Sequence, residues 1–288
     1  MKPLLPLGIE TIQWHGYWLR RWTGRDSDLF YVFAKYFHIL TADFLPPHAP
    51  KRRRVCAPGL ILVHAQMLAR LDSAIHLQTS QINNDPNNEL VSATFDDMLP
   101  HDAATPAVPA TPANPSRLMA ENGLIVLLRD FISDRKPPYP WAYHLFAESF
   151  YDVLTTAVRT TSLYNNNACF IICDFLQEAL PVLIQFERNA AEDRPILDWT
   201  FWVDVFRHMV RSENTMTEIR LYAFLFTFWT TISGSHAWKD DLCVRLLLEK
   251  SHFESRFNHW CPMVRAYYMR LLCWRIARFD GDPSEGEM

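Results

Sequence analysis

Seven segments between Arg117 and the carboxy-terminal region repeat apolar side chains at helical spacing, one after another with short connections: 117–133, 141–160, 166–190, 198–212, 215–233, 237–250 and 262–279. A chain patterned this way must bury one amphipathic stripe after the next, and short links make successive helices antiparallel neighbours. Glycine supports the reading, because only 8 residues of 288 are Gly, where average usage would give roughly 20. The expected fold is all-α: stacked antiparallel hairpins, as an armadillo-like or HEAT-like solenoid or an irregular helical array. Boundary chemistry fits: Asp198 is placed to cap a helix, Thr215-x-x-Glu218 has the form of a capping box, Gly234 lies where a C-terminal cap belongs, and Pro262 suits a first turn. Pro181 predicts a kink.

The chain divides by composition into an amino-terminal helical segment (1–79), a linker (80–116), a helical core (117–280) and an acidic tail (281–288). The linker "SQINNDPNNELVSATFDDMLPHDAATPAVPATPANPS" is rich in Asn, Asp, Ala and Pro, which predicts disorder, as does the composition of the tail. Charge is uneven: residues 1–79 hold ten Lys/Arg against five Asp/Glu, within a formal net charge of −4. No overall field favours nucleic acid. In the amino-terminal segment, Trp14, Trp18 and Trp22 share one side of a candidate helix with Arg20, Arg21 and Arg25 opposite. That side is a candidate packing seam against Phe30, Phe33 and Phe37, or a candidate membrane face. Lys51-Arg52-Arg53-Arg54, bracketed by prolines, reads as an exposed basic loop with the form of a short nuclear import signal.

The stretch "FNHWCPMVRAYYMRLLCWRIARFD" (257–280) is apolar in every direction and carries four arginines. Projected at about 100° per residue, its apolar side chains leave no side free, which predicts an inner helix, and Arg265, Arg270, Arg275 and Arg278 form no single stripe. Such arginines need carboxylate or carbonyl partners; Glu218, Glu249, Glu254, Asp240 and Asp241 are the candidate acids. Arg265, Arg270, Arg275 and Glu218 are therefore the candidate core ion-pair or partner-binding residues.

Catalytic patterns give no site. Gly234-Ser235-His236 lacks the nucleophile-elbow form, and phosphate-binding glycine loops and His-Glu-x-x-His are absent from the sequence. His252, His259, Cys261 and Cys273 lack the paired spacing of a structural zinc site. The expectation is no catalytic residue, no metal and no cofactor. Six cysteines among apolar neighbours read as reduced and buried, and "MKPLLPLGIE" is too short and proline-broken for a signal h-region, so a cytoplasmic protein is expected. The uncharged run Leu221–Trp238 has an apolar part shorter than the ~20 residues of a spanning helix and reads as a buried helix, with no transmembrane span expected.

"DWTFWVDVFRHMVRSENTMTEIRLYAFLFTFWTTI" and "FNHWCPMVRAYYMRLLCWRIARFDG" resemble the core of a fungal domain-of-unknown-function family of long helical proteins, some filed as membrane proteins. The likeness is strongest over 195–281 and looser from Arg117. It is carried by Asn214-Thr215-Met216-Thr217-Glu218 and His259-Trp260-Cys261-Pro262-Met263-Val264-Arg265-Ala266-Tyr267-Tyr268-Met269-Arg270-Leu271-Leu272. The resemblance implies a helical scaffold or adaptor with no catalytic residues to carry over. The expected function is a non-enzymatic scaffold that binds other proteins, in settings such as signalling. The alternative is peripheral membrane association through the Trp/Arg face.

Overall fold

The structure is a computed structural model that describes residues 27, 29–46, 49–82, 119–132, 140–189 and 195–277. Trp14, Trp18, Trp22, nearly all of the 80–116 linker, Arg278 and the 281–288 tail lie outside the described residues. Those described form helices and connections only: α1 (Leu29–Phe44), α2 (Lys51–Arg54), α3 (Leu60–Ile82), α4 (Gly123–Ile132), α5 (Pro140–Thr160), α6 (Asn166–Asn189), α7 (Trp199–Arg211), α8 (Thr215–Ile232), α9 (His236–Leu242), α10 (Lys250–Phe257) and α11 (Pro262–Leu271). Helices α9 and α11 each run into a π-helical turn, Cys243–Leu247 and Leu272–Ile276. The all-α expectation holds.

Polar side chains set the helix starts. Asn165 Oδ1 accepts from Ala168 N at 3.1 Å ahead of α6, and Asp198 Oδ1 accepts from Phe201 N at 3.1 Å ahead of α7. At α8 the cap is Asn214, which accepts from Met216 N and Thr217 N. The capping-box reading is thus one residue off. Thr215 is the first helical residue and Glu218 the fourth, so its carboxylate turns inward instead of back to the cap. Pro262 opens α11 as expected. Helix α6 continues through Pro181 to Asn189.

Helices α1 and α3 run antiparallel: Arg70 lies over the Phe30 ring at 4.4 Å, and the His38 and His64 rings stack at 5.6 Å. Both pack on α5, α3 also packs on α6, and their apolar side chains join one continuous core from Phe30 to Leu272. The division at residue 79 is therefore not a boundary between separate cores. Helix α6 takes α3 and α4 on one side and α8 on another, and α8 then takes α11.

Among the described residues α6 is the helix long and apolar enough to cross a membrane, and 61% of its apolar window is buried by its neighbours. The Leu221–Trp238 run is most of α8, a short loop and the start of α9, with Leu221, Tyr222, Phe224, Leu225 and Phe228 buried. Cysteine burial is mixed: Cys169, Cys173 and Cys243 are buried, whereas Cys56 and Cys273 are exposed, which corrects the uniform expectation. The basic run is not a free loop either. It forms α2, with Lys51 Nζ 2.6 Å from Asp152 and Arg54 buried against Glu148. The cause is two α5 carboxylates set to receive it, and only Arg52 and Arg53 of the run point outward free of such a pair.

Candidate functional site

Helix α11 and its π turn bury one stripe, Val264, Tyr268, Leu271 and Leu272, against α8 and its neighbours. The opposite side is open, with Arg270, Cys273 and Trp274 exposed, Trp274 by 60%. The inner-helix expectation is overturned. The apolar groups that close the circle in projection belong to an exposed tryptophan and to half-buried Tyr267, Met269 and Ile276.

The three candidate arginines find carbonyls and a ring instead of carboxylates. Arg265 donates to the carbonyls of His259 and Trp260, the latter at 3.4 Å, and so closes the turn from which Trp260 projects, 78% exposed. Arg270 and Arg275 both lie over the Phe226 ring, at 4.8 and 4.3 Å from its centroid. Arg275 Nε also donates to the Phe226 carbonyl at 3.1 Å. Together Phe226, Arg270, Trp274 and Arg275 make an open aromatic and cationic edge on α8 and α11.

Glu218 lies apart from these arginines, on the core side of α8, and is fully buried. Its partner is Arg256 of α10, whose Nε is 2.7 Å from Oε2 but off the direction of a straight hydrogen bond, so the contact is chiefly ionic. The Tyr222 hydroxyl donates to Oε2 at 3.3 Å and stands 3.3 Å from His252 Nε2. A histidine proton on Nε2 completes a chain from His252 through Tyr222 to Glu218. Tyr268 packs on both rings at 5.5 Å and donates to the Leu247 carbonyl at 2.5 Å.

Burial raises the Glu218 carboxyl above its ordinary range, against the pull of Arg256. Burial, aided by Arg256, lowers His252 to about 4, so it is neutral at physiological pH. A pocket of 220 Å³ opens beside this cluster, walled by Arg207, Glu213, Glu249, His252 and Arg256. Arg256 also donates to the Val210 carbonyl at 3.2 Å, and Glu213 holds a left-handed backbone, φ 53°, at the turn into α8.

The other histidine and cysteine candidates stand elsewhere. His259 Nδ1 accepts from Cys261 N at 3.1 Å, and Cys273 is on the exposed side of the π turn. Among the described residues no three His, Cys, Asp or Glu side chains gather as a metal would require. Gly234 and Ser235 lie in the link between α8 and α9, and His236 opens α9.

Sequence reasoning missed the acid–base pairs that the fold does build. Arg220 Nε donates to Asp174 Oδ1 at 2.8 Å between α8 and α6, both side chains largely buried. Arg54 meets Glu148 between α2 and α5, and Arg256 meets Glu218 between α10 and α8. Polar residues at otherwise apolar helix positions, Asp174 within "ACFIICDFLQEAL" and Glu218 ahead of "IRLYAFLF", were the available signal.

Both the Glu218 cluster and the Phe226 edge fall within a single recognisable segment. Residues 150–276 match the family described as protein of unknown function (DUF1765). A relative from Schizosaccharomyces pombe, named as a UPF0592 membrane protein, is 24% identical over 277 residues, covering 94% of this chain and 30% of the relative. The chain thus spans about a third of that relative's length. This likeness takes in most of residues 1–79 as well, beyond the DUF1765 segment and beyond residue 80, the limit to which the resemblance is traced from the sequence. No solved structure matches.

Proposed function

We propose that the chain is a non-enzymatic scaffold or adaptor that binds partner proteins on the surface of a helical stack. Its successive helix pairs are read as armadillo-like or HEAT-like, and it works in the cytoplasm. The observation that carries the reading is the open edge of α8 and α11, where Trp274 is exposed beside Arg270 and Arg275 on the Phe226 ring. Trp and Arg supply a large share of binding energy at protein interfaces, because each offers broad contact area with a polar handle. Here the guanidinium groups are held in place before binding, which limits the ordering cost of association. A partner segment with apolar side chains beside carboxylates suits this edge. Helix α6, packed between α3, α4 and α8, is read as a core helix and not as a span.

The test is affinity purification of the tagged protein without detergent, run in parallel with a Trp274→Ala/Arg270→Ala variant. A stoichiometric soluble partner that the variant loses while keeping its melting temperature supports the reading. A hydrolytic or transferase activity in the pure protein, abolished by one polar substitution, overturns it.

A further inference from the structure

The α1–α3 hairpin, which packs on α4, α5 and α6, carries a second surface of different chemistry. Where α1 ends and α3 begins, three large apolar side chains stand in the open: Phe44 at 82% exposure, Ile61 at 58% and Leu62 at 72%. Between them in sequence lies α2, whose Arg52 and Arg53 are exposed. The antiparallel course of α1 and α3, read from His38 on His64 and Arg70 on Phe30, brings Phe44, α2 and the start of α3 to the same tip.

Two ion pairs and one close-packed glycine anchor this tip. Lys51 is tied to Asp152 and Arg54 to Glu148, both on α5. Gly59 takes φ 84°, open to glycine at no steric cost, with the ring of Phe37 packed so close that a Cβ there would sit 3.1 Å from it. The chain therefore enters α3 on a fixed path, and Ile61 and Leu62 are presented outward in its first turn. Asp43 is exposed near the end of α1, and the partly exposed Asp152 is taken up by Lys51.

We propose that this tip is an insertion surface for an anionic lipid bilayer: Phe44, Ile61 and Leu62 enter the acyl boundary while Arg52 and Arg53 hold headgroup anions. Apolar side chains at a tip with cations beside them match the two layers of a membrane interface, apolar within and anionic at the surface. Phe44 also ends the exposed apolar row Val32, Tyr36 and Leu40 along α1, and the exposed Arg52 and Arg53 stand at its tip end. The inference goes beyond the protein-binding edge on α8 and α11 and stands or falls separately from it.

Flotation of the full chain with vesicles of phosphatidylcholine, with and without phosphatidylserine, tests it. The expected result is flotation only with phosphatidylserine, weakening as salt is raised. Arg52→Ser with Arg53→Ser lowers the affinity about thirtyfold, roughly fivefold for each cation near an anionic surface. Phe44→Asn, Ile61→Asn and Leu62→Asn together abolish flotation at an unchanged melting temperature, and L62E alone does so if the triple change melts early. Absence of flotation, equal flotation on neutral vesicles, or variants that float like the parent would overturn the proposal. A partner retained through Trp274 would survive any of those three results.

Discussion

Helix α8 meets arginines in two regions, and they behave in opposite ways. In its first turns the buried Glu218 is met by Arg256, with Tyr222, His252 and Tyr268 closed around the pair. Two turns later, on the open edge, Phe226 is flanked by Arg270 and Arg275 with no carboxylate between them. The inner arginine compensates a charge that water cannot reach, so removing it strands the partner. The outer arginines lean on a half-buried ring and stay solvated, so removing them strands nothing. Arginine count therefore says little about stability here; what decides is whether the facing group can be rehydrated.

The comparison breaks first if Arg256→Ala leaves stability intact. It is expected to destabilise by about 3–5 kcal/mol, because a fully buried carboxylate loses its counter-charge. Urea unfolding measures this, and adding Glu218→Gln should recover part of the loss.

A smaller effect is expected from acid. The folded-state pKa of His252 is lowered to about 4 from an ordinary 6.5, so the unfolded chain binds its proton first. Stability from this group is complete above the unfolded pKa and is lost as pH falls from about 6.5 to about 4, on the order of 1 kcal/mol per pH unit at most. His38, lowered to about 3, and His64, lowered to about 4, add the same sign in the α1–α3 contact. Asp174 and Glu218, raised by burial, act with the opposite sign. A His252→Gln variant should therefore show a shallower loss than the parent across that window, while Arg275→Ala should leave the slope unchanged.

Smaller again, Arg275→Ala is expected to lower stability by about 1 kcal/mol, through a carbonyl hydrogen bond and a ring contact made at a partly wet site. Arg270→Ala, exposed and without that hydrogen bond, should cost about 0.5 kcal/mol. If either approaches the Arg256 value, the edge is part of the folding core and the comparison fails.

The helices themselves were largely legible, because caps and apolar spacing are local: Asp198, Pro262 and the extents of α5 to α8 follow from neighbours in sequence. Helix α10 was not. "KSHFESRF" is polar with only two aromatic side chains, and it reads as a connection. Without α10, no sequence pattern pairs Arg256 with Glu218. The π turns defeated the projection of the last helix. Ala277 N bonds to Leu272 O, one residue further back than in an α-helix, so a constant angle per residue drifts where Trp274 and Arg275 sit. The shift of the cap from Thr215 to Asn214 turned Glu218 from a cap partner into a buried acid. Pairings such as Arg54 with Glu148 join residues 94 apart in sequence, and no local pattern reveals them.

The account rests on the claim that the outer arginine and tryptophan edge serves recognition while the inner arginine serves the fold. The most direct measurement is partner retention by the Trp274→Ala/Arg270→Ala variant, normalised to folded protein by its thermal melt. The expected result is a lost partner with a melting temperature close to the parent's. A partner fully retained, or a melting temperature that falls as far as that of Arg256→Ala, would contradict it.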